Sequence, residues 1–286
     1  MIAILLCTYN GSKYLPQQLN SLLNQTFQDF VIYIHDDGST DDTNIILKKY
    51  QSLYKNKIVI LEDNIKRRGA KDSFLWLLNA ISAKYYMFCD QDDIWLENKI
   101  EDTYNKMLVV EKVNPHKPIV IHTDLTLVNQ DLDIIHPSYW EYAKINVDIS
   151  KKFKYLCLGN VVTGCTMLFN EQAKLISMSN KNEYVTMHDY LIALMASQYG
   201  ILENLKKQTI LYRQHEHNVF GCGKVAERKK IVSINKILQW YNWYKNNKSF
   251  LESMGYKSFL KVMINKIELF IMSNYIPTNK INKPNL

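Results

Sequence analysis

Four short apolar runs, each followed by a polar cluster, fill the first ninety residues and leave little choice of architecture. Residues 2–7 read as a strand buried on both faces, and residues 30–34, 57–61 and 85–89 as three further strands. Helical spacing separates them. Leu15, Leu19, Leu22 and Leu23 make one apolar stripe, with Ser12 as its expected cap. Ile45, Ile46 and Tyr50 make a second, opened by Ser39 and Asp42 at capping-box spacing, and residues 72–82 form a third. Short strands alternating with such helices predict an α/β protein with a mainly parallel, doubly wound sheet and right-handed crossovers. Ligands bind beyond the carboxyl ends of the strands in sheets of this kind. The polar clusters fall at those ends: Thr8-Tyr9-Asn10, Asp36-Asp37, residues 64–68, and Asp90-Gln91-Asp92-Asp93. Four separate loops are therefore expected to converge on one crevice.

The second half is less regular. Residues 119–128 and 161–169 read as strands, 129–160 as an irregular excursion, 187–199 as a helix with Leu191, Leu194 and Met195 inward, and 209–212 as a last strand. From residue 231 onward the pattern is helical.

Five cysteines without CxxC spacing point to neither a zinc site nor a disulfide framework, and to a reducing cytoplasmic setting. No apolar run reaches the roughly 18 residues a membrane span needs, and Met1 leads into Ile2 without a basic segment or cleavage site, so no signal peptide is expected.

Asp90-Gln91-Asp92-Asp93 places three carboxylates in four residues, directly after an apolar strand. Such crowding is electrostatically costly unless a cation relieves it. A hard divalent ion held by one or two carboxylates and a substrate's phosphates would do so. Asp93, preceding Ile94-Trp95-Leu96, reads equally as a helix cap.

Taken in order, Thr8-Tyr9-Asn10-Gly11, Asp36-Asp37-Gly38-Ser39-Thr40-Asp41 and Asp90-Gln91-Asp92-Asp93 resemble the signatures of family 2 glycosyltransferases, which are inverting enzymes of the GT-A fold. The resemblance continues in Thr163-Gly164-Cys165, His188-Asp189 and Tyr212-Arg213-Gln214-His215 with Asn218. It is nearest to the rhamnosyltransferase-like branch that builds bacterial surface polysaccharides, and it covers residues 1 to about 220. It implies a doubly wound mixed sheet flanked by helices over residues 1–223, followed by a helical extension over 224–286.

The resemblance also distributes roles. Thr8, Tyr9, Asn10 and Asp37 would bind the nucleoside, with Asp36 orienting the loop, and Asn64 and Gly69 fall near the next nucleoside-binding loop. Arg67 or Arg68 could touch the diphosphate. Asp92 would ligate Mn²⁺ or Mg²⁺ with Asp90 in support, and His215 is an additional contact to metal or diphosphate. Gly164 would bring backbone close to the acceptor, and Asp189 would be the base. Asp189 also reads as a helix cap, and Asp124 is the rival carboxylate, assigned rather to the donor sugar. The implied partners are a nucleotide-sugar donor, dTDP-rhamnose or a UDP-hexose, and a glycan or polyprenyl-diphosphate-linked acceptor. The alternatives are a non-catalytic sugar-nucleotide scaffold or a nucleotidyltransferase. Cys7-Thr8-Tyr9-Asn10-Gly11 lacks the glycine-rich phosphate loop that the latter needs.

Charge is uneven. Residues 224–286 hold 12 Lys/Arg against 3 Asp/Glu, and residues 1–223 hold 23 against 25. With Trp240, Tyr241, Trp243 and Tyr244 among the lysines, the tail suits the anionic cytoplasmic face of an inner membrane, or simply packs on the catalytic domain. Nucleic acid is not an expected partner.

Overall fold

The four apolar runs become parallel neighbours, the first and the fourth buried on both faces. β1 (Ile2–Thr8) pairs in parallel with β2 (Phe30–Asp36) on one side and β4 (Tyr85–Cys89) on the other, and β3 (Ile58–Ile60) extends the sheet beyond β2. The crossovers are α1 (Leu15–Leu23), α2 (Thr43–Leu53) and α3 (Ala70–Ala80). The structure, a computed structural model, describes residues 1–63, 65, 68–180, 184–216 and 234–274. Alternate residues of β1 serve opposite cores, as strand geometry requires. Ile2, Ile4 and Leu6 pack with Leu15, Leu19 and Leu22 of α1, whereas Ala3 and Leu5 pack with Phe74, Leu77 and Leu78 of α3.

After β5 (Ile94–Trp95) and α4 (Lys99–Val113), β6 (Ile119–Val128) turns through a hairpin into β7 (Ile134–His136). Three single-turn helices follow, α5 (Tyr139–Tyr142), α6 (Val147–Ser150) and α7 (Phe153–Leu156). Next come a 3-10 turn at Gly164–Thr166, β8 (Met167–Asn170), α8 (Glu171–Ser179), α9 (His188–Tyr199) and β9 (Ile201–Arg213). Strand order is β3-β2-β1-β4-β8-β6-β9-β5, with β7 on β6. β8 runs antiparallel to both β4 and β6, and β5 antiparallel to β9, so the sheet is mixed rather than mainly parallel.

Several local expectations change. Tyr14, not Ser12, occupies the N-cap position of α1, and Ser39 does not cap α2. Its hydroxyl donates to Asp36 Oδ1 (2.5 Å) and accepts from the Asn10 N–H (2.8 Å), tying two loops together. Asp93 caps no helix, because β5 follows it; its carboxylate accepts the Arg213 N–H at 3.1 Å. The strand expected at 161–169 is confined to β8, because residues 160–163 instead line a cavity. The expected strand at 209–212 is the end of a 13-residue strand whose polar first half hides the alternation. α9 is buried on every side from His188 to Ala196, so no single stripe defines it.

α10 (Ile234–Asn246), α11 (Lys248–Ser253) and α12 (Phe259–Asn274) close the described chain. Phe250, Leu251, Tyr256 and Val262 belong to the same core as Leu156, Leu191 and Phe88. Tyr155 Oη donates to Glu268 at 2.9 Å and Asn265 Nδ2 to Tyr256 Oη at 2.8 Å. These helices therefore pack on the α/β body along one side. The position between residues 223 and 224 lies outside the described residues.

Candidate active site at the carboxyl ends of the strands

A cavity of about 620 Å³ opens where β1, β2 and β4 end, a volume within the usual range for small-molecule sites. Thr8, Tyr9, Asp37, Gly69, Asp90, Gln91, Asp92, Gly164 and Asp189 all line it, so loops remote in sequence do meet.

Side chains fasten those loops to one another. The Gln91 amide donates to the Tyr9 carbonyl (3.0 Å) and accepts the Tyr9 N–H (2.9 Å). Asp36 accepts from Thr8 Oγ1, from the Ser39 N–H and hydroxyl, and from Asn44 Nδ2, all within 3.0 Å. That carboxylate is spent on the loop. Asp37 instead reaches the cavity wall, its two oxygens accepting the N–H groups of Arg68 (2.7 Å) and Gly69 (2.9 Å). An ionised carboxylate accepts about four bonds, so Asp37 keeps capacity for a ligand N–H. Gly69 holds a φ of +80° at the start of α3, a conformation that favours glycine. Asn10 does not line the cavity: its side-chain oxygen accepts the Thr40 N–H at 2.8 Å. Asn64 and Arg67, expected near the nucleoside and diphosphate, lie outside the described residues. Arg68 is ion-paired with Asp63.

Four carboxylates, Asp37, Asp90, Asp92 and Asp189, face this one space, and among the described residues no lysine or arginine lines it. Burial, then the charge of Asp92, then that of Asp189, pushes the Asp90 carboxyl well above the usual carboxylate range. Asp189 is 9% exposed, and burial raises its pKa to about 6 despite the backbone N–H groups of Tyr190 and Gly164. Gly164 packs against this residue pair. A Cβ there would lie 3.1 Å from Asp189 Cβ and 3.3 Å from His188 Nε2. The glycine thus makes room for the His188 and Asp189 side chains while itself lining the cavity. His188, stacked on Phe74 with ring centroids 4.1 Å apart, is kept neutral by burial, which lowers its pKa to about 3.

His215 Nε2 lies 2.7 Å from Asp92 Oδ2. A second set of donor atoms, on Asp90, Asp93 and Cys165, falls within 4.8 Å of one another. That set suits a hard cation poorly. Burial and the two carboxylates raise the Cys165 thiol well above its ordinary value and keep it protonated, and thiolates favour softer metals. Asp93 is also sealed from the cavity and holds the Arg213 N–H. Asp92, with imidazole beside it and Asp90 behind it, offers carboxylate oxygen at the cavity wall where phosphates could complete the shell. The residues fit a divalent cation there.

Asp124 lies away from this space. It is buried and accepts from Leu125 N–H, Ser138 Oγ, Trp140 N–H and Gln208 Nε2, all within 3.1 Å, and does not line the cavity. The residues that sequence reading left without roles are Gln91, Arg213 and Tyr14. The first two sit inside recognised motifs, whereas Tyr14 carries no signal of its own.

The sequence model described as "Glycosyl transferase family 2" matches residues 3–168. The protein "dTDP-rhamnosyl transferase RfbG" of Shigella flexneri is 30% identical over 247 residues, covering 82% of this chain and 80% of its own. Among solved structures, TarS of S. aureus in complex with UDP superposes with a TM-score of 0.55 at 18% identity, over 74% of this chain and 60% of that one, less than two thirds of its length. "Mannosyltransferase PcManGT" of Pyrobaculum calidifontis, in complex with GDP-Man and Mn²⁺, gives 0.54 at 10% identity over 97% of this chain and 76% of its own. These likenesses establish the GT-A fold.

Proposed function

Because the chain belongs to glycosyl transferase family 2, we propose that it carries out an inverting transfer of a sugar from a nucleoside-diphosphate donor to an acceptor hydroxyl during surface-polysaccharide assembly. The observation that carries this reading is the cavity lined by Asp37, Asp92 and Asp189, which brings carboxylates from three distant segments around one space. Asp37, with Thr8 and Tyr9 beside it, binds the nucleoside through its unfilled acceptor positions. Asp92 and His215, backed by Asp90, would hold Mn²⁺ or Mg²⁺. The bound ion supplies Lewis-acid stabilisation of the departing diphosphate. Asp189 takes the proton from the acceptor hydroxyl as its oxygen attacks the anomeric carbon. The carbon–oxygen bond to the diphosphate breaks on the opposite face, which inverts the configuration. Burial gives Asp189 a pKa of about 6, close to working pH and favourable for a general base. The donor is dTDP-rhamnose or a UDP-hexose, and the first is favoured by the 30% identity to a protein named as a dTDP-rhamnosyl transferase.

A ligand that binds only the native state raises its melting temperature. Mn²⁺ together with dTDP or UDP should therefore raise Tm by several degrees, with a smaller shift from either alone, and the matching nucleotide sugar should be hydrolysed slowly. A Tm shift without turnover of any donor would favour the non-catalytic scaffold. No shift with any nucleoside diphosphate would overturn both readings.

The acceptor is a glycan or a polyprenyl-diphosphate-linked sugar at the cytoplasmic face of a membrane. No described helix is long and apolar enough to cross one. One side of α12 instead presents Leu260, Ile264 and Ile271, each between 47% and 60% exposed, in a segment whose charge is strongly basic. Such a helix lies in an anionic interface. Leu260→Ser/Ile264→Ser/Ile271→Ser should lose more than about ten-fold in partition onto anionic vesicles, since each buried aliphatic side chain contributes about 1.5–3 kcal/mol. Equal partition by the triple variant and the parent would defeat the idea.

A further inference from the structure

The Asp92–His215 contact joins residues 123 positions apart, from the loop after β4 and the segment beyond β9. The two segments meet only in the folded chain. What fixes the two together is a pair of residues with no role so far.

Arg213 is 1% exposed and spreads its guanidinium over three parts of the chain. Nε donates to the Asp92 carbonyl at 2.8 Å, Nη1 to the Gln130 carbonyl in the β6–β7 turn, and Nη2 to Gln17 Oε1 of α1 at 2.7 Å. Its backbone N–H is held by Asp93. The planar fork of an arginine can satisfy several acceptors at fixed angles, which a lysine cannot. The guanidinium carbon also lies 4.5 Å from the centre of the Tyr14 ring, within cation–π range. That ring stacks on His215, centroids 5.0 Å apart and planes 28° from parallel. Arg213 therefore fixes the backbone that carries Asp92, and Tyr14, braced against Arg213, fixes the imidazole that meets the Asp92 carboxylate.

We propose that Tyr14 and Arg213 are positioning residues that preorganise the Asp92–His215 pair to receive a divalent cation. The inference rests on the reading of Asp92 and His215 as cation ligands. Holding a ligand's orientation before the ion arrives removes the ordering cost from binding, and losing such support typically costs about 10- to 100-fold in metal affinity. Stacking needs the ring and not the hydroxyl. Tyr14→Phe therefore retains the function and Tyr14→Met, which fills space without a ring, loses it. Tyr14 is half-buried at the edge of α1, so both variants are expected to fold.

The experiment measures Mn²⁺ binding to the full chain, by paramagnetic resonance of the free ion with no nucleotide present, beside Tm for each variant. Tyr14→Met should weaken Mn²⁺ binding roughly ten-fold with Tm in the absence of metal held, and Tyr14→Phe should stay within about two-fold. Arg213→Lys should also weaken binding and lower Tm, because buried acceptors lose their partner. Mn²⁺ affinity unchanged in Tyr14→Met would overturn the inference, as would equal losses in Phe and Met. Asp92→Asn separates the two ideas. If it too binds Mn²⁺ normally, the cation-site reading itself fails. If it loses Mn²⁺ while Tyr14→Met keeps it, only the positioning role fails.

Discussion

Asp189→Asn should abolish sugar transfer while leaving the fold intact, with a loss of roughly 10³-fold in kcat, the middle of the range for removing a general base. Donor and metal binding should persist, because the proposed mechanism gives Asp189 the acceptor hydroxyl and not the nucleoside or the cation. The electrostatics sharpen this expectation. The pKa of Asp189 is raised from 3.8 to about 6 by burial, so the folded state favours its protonated form. Any stability this confers is complete below about pH 4 and is lost as pH rises through about 6, by an amount on the order of 3 kcal/mol. Asparagine is neutral throughout and escapes that loss. At pH 8 the variant should therefore be no less stable than the parent, and the acid limb of kcat/KM near pH 6 should vanish from its residual activity. Asp124→Asn is the control. It replaces one of two acceptor oxygens by a donor in a dry setting and so breaks the bonds that one oxygen accepts, such as those from Ser138 Oγ and Gln208 Nε2. It should lower Tm by several degrees yet keep turnover within a few-fold. An Asp189→Asn enzyme retaining a tenth of its kcat would remove Asp189 from the mechanism, and an Asp124→Asn enzyme that folds normally but cannot turn over would point to the base instead.

Asp92→Asn should be as damaging by a different route. Lewis-acid stabilisation is worth several kcal/mol, and each 1.4 kcal/mol is ten-fold in rate, so losing the ion should cost roughly 10³-fold in turnover. The loss should resist saturation with Mn²⁺. The stability of the metal-free protein should move the other way. Asp92 is the largest charge acting on buried Asp90, and neutralising it relieves repulsion that the cavity's lining leaves without a basic partner. Because the Asp90 carboxyl is pushed up, metal-free stability falls as pH rises through its raised pKa, and a bound cation offsets that fall. The Mn²⁺-induced rise in Tm should therefore grow from pH 5 to pH 8 in the parent and be absent in Asp92→Asn. Calorimetric scans with chelator and with Mn²⁺ test both signs. Full Mn²⁺-dependent activity in Asp92→Asn would refute the assignment.

Much of this was legible in one dimension, because the relevant signals are local. A strand buried on both faces must be a continuous apolar run, as in residues 2–6 and 85–89, and the loop at its carboxyl end must be polar. Asp37, Asp90 and Asp92 were found that way, and Asp189 by its place before a helix in a recognised motif. Signals failed where tertiary partners override local preference. Ser39 and Asp93 look like caps, yet their side chains serve Asp36 and Arg213 because those partners are nearer than a helix start. The 161–163 segment reads as a strand, but turns aside at Gly164 so that Asp189 can pack against it. α9 shows no stripe, since an element enclosed on all sides has no polar face to reveal it.

The sequence by itself determined the alternation of strands and helices, the four loops that meet beyond the sheet, and the acidic residues they carry, because period and side-chain type are properties of short segments. Only the tertiary structure decided which acids face the cavity and which hold the frame. Asp36 and Asp124 have their oxygens taken up by neighbours 1 to 84 positions away, and Asp93 is sealed from the cavity with one oxygen on the Arg213 N–H, whereas Asp37, Asp92 and Asp189 keep theirs at the cavity wall. Chemical type is written in the residue, but availability depends on how many hydrogen-bond partners the fold has already placed around it. For the same reason Tyr14 could not be singled out from its sequence position: its importance lies in a ring lying beside His215 and Arg213, and that proximity exists only once α1 and β9 have come together.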